Sequence, residues 1–286
     1  MGSSFNHPLA QAYARGERDF RGHCYPKGDF RGWVLDGADL SEGLLWRARL
    51  DHASLQGAQL ERTNLHEANL VAAQLQGANL RQANLNRANT RRTHFAHADL
   101  RGANLYLNPL AQADITQARL EGACLRWARL EGAQLGGATM DDKTDLWGVA
   151  FNHATQWPEG FSPDGRGALG PRIVWHRAPL KRAYLRHYDL RLADLREARM
   201  QRVVAGGTLF QGANLSRANL RRAILHHADL SGANLRGAML QGADFMGARL
   251  DGASLHRADL RGADLRRADL DRVNLSPALL DGALLP

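Results

Sequence analysis

The polarity of the chain repeats every five residues. In "GANLRQANLNRANTRRTHFAHADLRGANL", residues 77–105, Leu80, Leu85, Leu100 and Leu105 fall on multiples of five, and Ala78, Ala83, Ala88, Ala98 and Ala103 each stand two places earlier. With the leucine position taken as a centre, units run from Phe20 to Met140. The count then slips by one residue to centres at Leu146, Phe151 and Gln156, breaks over 157–171, and resumes from Trp175 to Leu285. Two inward positions separated by one outward residue are the alternation of a strand. The other two residues must turn a corner before the next inward pair, and glycine at Gly57, Gly77 and Gly102 suits such a turn. The pattern predicts a closed coil of short edges and corners around a leucine column. The period alone leaves the number of edges per coil open.

The units "GADLS", "GANLR", "RADLR" and "GADLR" form an A(D/N)LXX pattern that resembles the pentapeptide-repeat family. "YARGERDFRG" is similar to the lead-in of cyanobacterial-type members. The resemblance covers roughly residues 19–156 and 175–286. It implies an all-β fold, a right-handed quadrilateral (four-sided) β-helix with four pentapeptides per coil. Residues twenty apart would then stack roughly 4.8 Å from one another, and about 51 units would make nearly 13 coils and a rod of roughly 60 Å.

The expected organisation has four parts. Residues 1–18 form an N-terminal cap, in which Leu9, Ala12 and Tyr13 line a short helix closed by Gly16. Residues 19–156 form a first array and 175–286 a second. Between them, 157–174 is a Pro/Gly-rich loop insertion. Its Pro158, Pro163 and Pro171 are unfit for a ladder, and Trp157 and Phe161 are expected against an edge. "ATQWPEGFSPDGRGALGP" also resembles the terminal segment of some family members, so its mid-chain place suggests tandem arrays. At the far end Leu279, Leu280, Leu284 and Leu285 lack a cap, leaving either a frayed coil or an end-to-end homodimer through the C-terminal coil.

Composition narrows the class. Apolar residues make up 44% of the 286, too many for a disordered chain. Residues 1–21 lack the apolar core of a signal peptide, and no apolar run reaches membrane-spanning length. Two cysteines, Cys24 and Cys124, make no disulfide framework, and the expected setting is cytoplasmic. The net charge of +8 is uneven: residues 1–156 hold 17 Lys+Arg against 16 Asp+Glu, leaving 20 against 13 for the rest. A function resting on charge belongs in the second half.

The search for chemistry is largely negative. Neither His94 with His97 nor the adjacent His226 and His227 has partners at zinc-ligand spacing. No nucleophile elbow, P-loop or dinucleotide fingerprint follows a strand into a helix. Asp141 and Asp142 fall in the slipped segment. Thr90 stands at a centre, where its hydroxyl needs an internal acceptor. A leucine-filled coil leaves little room for a substrate cavity. No catalytic, cofactor-binding or metal-binding residue is expected, and no cofactor.

Charge does order by face if the 20-residue register holds. One face of the second array collects Lys181, Arg182, Arg199, Arg202, Arg221, Arg222 and Arg261, against Asp259 alone. The face two corners on collects Asp189, Asp229, Asp251, Asp269, Asp271 and Asp281, tempered by Arg191, Arg249 and Arg272. The leading expectation is a noncatalytic, rigid protein-interaction scaffold whose basic face meets an unknown acidic protein surface. Nonspecific nucleic acid is the other candidate partner, although aromatic residues for base stacking are few, chiefly Tyr184 and Tyr188. Some members of the resembled family protect DNA gyrase by imitating DNA with an acidic surface. A topoisomerase-associated role of that kind is disfavoured by a net charge of the wrong sign.

Overall fold

The computed structural model of the chain describes residues 8–286. Residues 1–7, the start of the expected cap, lie outside the described residues. The chain divides into two compact units, Met1–Ser162 and Pro163–Pro286. One helix occurs among the described residues, α1 (Pro8–Ala14), which buries Leu9 and Ala12. It ends at Gly16 (φ 94°), and the Tyr13 hydroxyl donates to the Asp36 carbonyl at 3.0 Å.

Beyond α1 each unit is a stack of coils. Parallel bridges join Asp19 to Asp39, Cys24 to Leu44, Asp29 to Arg49 and Val34 to Ser54, and then each of these to the residue twenty further on. A turn follows every centre, so one 20-residue coil contains four turns. The bridges are isolated, and no longer strand forms among the described residues. The expected flat edges shrink to one bridged residue, because two turn residues begin directly after each centre.

Backbone bookkeeping explains the repeat sequence. Leu80 N–H donates to the Asp99 carbonyl at 2.8 Å and Gln82 N–H to that of Arg101 at 2.9 Å, both one coil ahead. Asn84 N–H reaches back to the Thr63 carbonyl at 2.9 Å, and Ala83 N–H closes the turn on Leu80 at 3.0 Å. The fifth donor, Arg81 N–H, has no carbonyl; it is taken by the Asn79 side chain at 3.2 Å. The same closure recurs from Asn104 to Tyr106 and from Asp229 to Ser231, each at 3.1 Å. Asp or Asn before the leucine therefore supplies the acceptor that the coil ladder lacks. In the column of Asn214, Asn234 and Asn274, the side chains cap the N–H groups of Ser216, Arg236 and Ser276 at 3.2, 3.1 and 3.0 Å. A side-chain bond along a column does occur elsewhere, from Asn84 to Asn64 at 3.4 Å.

The second turn residue has a positive φ whether or not it is glycine. Gly57 stands at 64°, and Arg62, Arg182, Arg202 and Arg222 at 55°, 60°, 57° and 55°. A side chain there costs about 1–2 kcal/mol of local strain. The N–H bond to the next coil holds the conformation in spite of it.

Leucines fill the axis; Leu75, Leu80 and Leu85 are fully buried, as are Phe95, Phe210 and Phe245. Polar residues enter the core where a carbonyl has a lone pair left. Thr63, Thr93 and Thr208 replace the inward alanine and donate to Leu40, Leu70 and Leu185 carbonyls at 2.9, 2.7 and 2.6 Å. Thr90 stands at a centre and finds its acceptor in the next coil. Buried Asn108, at an inward alanine position, takes the Thr90 hydroxyl and, like the threonines, donates to the carbonyl 23 residues back, that of Leu85, at 2.9 Å. Asn108→Ala is expected to lower unfolding stability by about 1–3 kcal/mol, since it orphans buried groups. Thr93→Ala, which removes a single hydroxyl, should cost roughly 1 kcal/mol. Denaturant titration of the two variants checks the order.

The register slip differs from the sequence reading. Asp145 and Ala150 bridge back to Cys124 and Arg129, which keeps Leu146 and Phe151 as centres. Gln156, expected as a centre, is instead the bridged residue opposite Gln134. A second extra residue enters at 152–155, where Asn152 N–H donates to Thr155 Oγ1 at 3.1 Å. The first insertion is built alike: Asp141 N–H donates to Thr144 Oγ1 at 3.1 Å. Asp141 also accepts Gly122, Lys143 and Thr144 N–H groups at 2.8, 3.1 and 3.0 Å, which gives this acid a backbone-capping role. Trp157 packs edge-on against Phe151 and stacks on Phe161, with ring centroids 5.5 and 5.3 Å apart, all within the first unit. In the second unit Asp164 accepts the Val174 N–H at 3.1 Å. Leu279, Leu284 and Leu285 are exposed.

Several carboxylates of this lattice titrate low. Arg266 hydrogen-bonds Asp264 and, with its own N–H, holds it at about 2. Arg101 does the same for Asp99, and Arg261 for Asp259, both below the usual carboxylate range. The unfolded chain binds more protons once pH falls below the ordinary carboxylate value of about 4. The stabilisation is complete above that value and is lost as pH falls through the folded values. Melting temperature is expected to be flat from about pH 7 to 5 and to drop progressively towards pH 2; thermal melts followed by circular dichroism test this.

Candidate interaction face of the second unit

The coil register decides which charges meet. Arg182, Arg202 and Arg222 N–H groups donate to the carbonyls of Gln201, Arg221 and Gln241, each at 2.9 Å. The three arginines therefore stand one above another at one corner. Lys181, Gln201, Arg221, Gln241 and Arg261 occupy the turn position before them. Arg199 bridges Asn219, which leads through Met239 to Asp259 on the same face. All seven basic residues singled out in the sequence are exposed and share this face. Asp281, expected two corners on, stands here as well: the Gly262 N–H donates to its carbonyl at 2.9 Å, which puts it beyond Arg261 in the same column.

They are not equivalent. Arg261 is clamped by Asp259 at 2.7 Å, and Arg221 donates to Gln241 at 2.9 Å. Lys181, Arg182, Arg199, Arg202 and Arg222 have no carboxylate partner among the described residues. On the opposite face every arginine is paired: Arg191 meets Asp189 at 2.7 Å, Arg249 meets Asp229 at 3.1 Å and Arg272 meets Asp251 at 2.5 Å. Sequence reasoning missed Arg217 and Arg257, exposed at the preceding corner, where they border the basic face. Their position two after a centre was the available signal. Arg177 hydrogen-bonds Glu197 and holds its carboxyl low, with Arg217 adding its charge.

The aromatic content of the face is smaller than the sequence suggests. Tyr184 is 61% exposed, but Tyr188 takes an inward position and is only 5% exposed. Elsewhere His226 pairs with Asp244. No group of three His, Cys, Asp or Glu residues among those described is placed to hold a metal. A cleft of about 410 Å³ lies beside α1, lined by apolar side chains with Gln11 and Tyr13. No helix among the described residues is long and apolar enough to cross a membrane.

The sequence model of pentapeptide repeats matches in eight copies, three within 34–132 and five overlapping ones within 198–285. The chain belongs to the pentapeptide repeat family. Among solved structures, this pentapeptide repeat protein is similar to HetL of Nostoc sp. Strain PCC 7120, involved in heterocyst differentiation regulation. That likeness has 30% identity over 97% of this chain and 91% of that one, with a TM-score of 0.27. QnrB1, a plasmid-mediated fluoroquinolone resistance protein, is 16% identical over 92% and 93% of the two chains (TM-score 0.28). A pentapeptide repeat protein from the Arabidopsis thaliana thylakoid lumen is 27% identical over 43% of this chain and 68% of its own (TM-score 0.19). No curated protein matches. The match is to a repeat family and points to no enzyme family.

Proposed function

We propose that the protein is a noncatalytic interaction scaffold, and that the basic face of its second unit receives an acidic protein surface. Each array is read as a right-handed four-sided β-helix, a reading supported by four turns and a 20-residue register per coil. The observation that carries the functional reading is the asymmetry of pairing. Lys181, Arg182, Arg199, Arg202 and Arg222 have no carboxylate partner among the described residues, while the arginines of the opposite face are each held by an aspartate. Paired charges are largely neutralised at a distance; unpaired ones project a field that steers an acidic partner.

The unpaired arginines cost little. They are exposed, so solvent and salt screen their mutual repulsion. A partner's carboxylates would replace that screening with direct ion pairs. The test is capture from the native cell by the parent and by a variant with Arg182, Arg202 and Arg222 replaced by glycine. An acidic protein retained by the parent and lost by the variant supports the reading. Identical capture by both, or retardation of duplex DNA at physiological salt by the parent alone, overturns it.

A further inference from the structure

The corner arginines border a column that the sequence reading passed over. Tyr184 bridges Val204, and Val204 bridges Ile224, so three apolar side chains follow one another along the coil stack, pointing outward. Tyr184 and Ile224 are 61% and 40% exposed, and Val204 is half-buried. Each lies two residues after an arginine of the corner column: Arg182, Arg202 and Arg222 in turn. The strip stops sharply, since the next residue of the column is Asp244, which pairs with His226. The result is an apolar stripe three coils long with an unpaired guanidinium beside every step.

We infer that this stripe docks an acidic amphipathic helix lying along the coil axis. The inference rests on the scaffold reading above and names the chemistry of its partner. Coils repeat at roughly 4.8 Å, while successive same-face side chains of an α-helix repeat at about 5.4 Å. Across three coils the mismatch grows to only about 1 Å, within the reach of side-chain rotamers. An extended strand presents same-face side chains every ~6.8 Å and falls out of step by about 4 Å over the same span. Charge then sets the partner's polar flank. Carboxylates beside the helix's apolar seam meet Arg182, Arg202 and Arg222, whose forked donors suit bidentate pairing. Duplex nucleic acid would satisfy those arginines but would leave Tyr184, Val204 and Ile224 against phosphates.

The probe is a helix-stabilised peptide with leucine at i, i+4 and i+7 flanked by glutamate. A control of identical composition is scrambled to destroy the apolar seam. Binding of each to the full chain is followed by fluorescence anisotropy. The patterned peptide should bind at least tenfold tighter than the scrambled one. Replacing Tyr184→Ser with Ile224→Ser should weaken it about tenfold or more, with the scrambled peptide unmoved. Replacing Arg182, Arg202 and Arg222 by glycine, or by asparagine in a second version, should weaken both peptides. Equal binding of the two peptides, sensitive only to the arginine variants, overturns the helix inference and leaves the scaffold reading standing. Insensitivity of both peptides to the arginine variants overturns the two together. Displacement of the patterned peptide by duplex DNA at equal charge concentration overturns the inference in favour of nucleic acid.

Discussion

Leu85→Asp is expected to abolish cooperative folding of the coils around it. Leu85 is fully buried. Its N–H is committed to the Asn104 carbonyl at 2.9 Å, and its own carbonyl accepts Ala88 N–H and the Asn108 side chain, each at 2.9 Å. A carboxylate there has no free donor to meet and no counter-ion on the axis. Losing the leucine alone costs about 2–5 kcal/mol. Burying an unpaired ion adds several more, or the group protonates and surrenders that energy as a pKa shift. A domain commonly has about 5–15 kcal/mol in total. Each coil contacts only the coils above and below, so damage begins at its neighbours. Hydrogen exchange should show protection lost first across residues 65–105. Gln82→Asp places the same charge three residues away on an exposed turn position that tolerates a left-handed aspartate. It should melt within a few degrees of the parent. Equal melting of Leu85→Asp and the parent would show that Leu85 does not face the axis.

The fold was readable because its rule is local and repeated. One alanine and one leucine in every five residues define what is hidden, and many copies leave no competing period. The signature's polar letter was legible but not its reason, which appears only when the N–H after the centre is seen without a carbonyl. The insertion at 152–155 escaped notice because Thr155 takes the alanine position and hides its hydroxyl on the Leu130 carbonyl at 2.7 Å. For the face, the register placed the seven basic residues together, yet pairing could not be read from it. Arg261 and Arg221 hold the same turn position; Asp259 clamps the first, while Asn219 caps only the backbone N–H of the second, whose guanidinium turns to Gln241.

Removing Arg182, Arg202 and Arg222 together, each to glycine, is expected to separate binding from stability. All three have left-handed φ values of 55–60°. Glycine already holds this place in the same column at Gly242, Gly262 and Gly282, with φ of 65°, 66° and 69°. Relief of left-handed strain is about 1–2 kcal/mol per residue, and the entropy a glycine adds to the unfolded chain takes back about 0.5–1. The melting temperature should therefore hold or rise. Three unpaired charges disappear, so affinity for an acidic partner at low salt should fall at least tenfold, mostly through slower association. Raising the salt should erase the difference from the parent. Glycine at Arg191, Arg249 and Arg272 removes as many charges with the opposite consequences. Those arginines are held by Asp189, Asp229 and Asp251, so their loss uncovers carboxylates; Arg191 and Arg249 gain no strain relief, only Arg272 at φ 53° does, and the net effect is lower stability while binding at the far face changes little. Parallel salt titrations and melts of the two triple variants decide the matter. Equal loss of binding in both would mean that net charge, and not the unpaired corner column, attracts the partner.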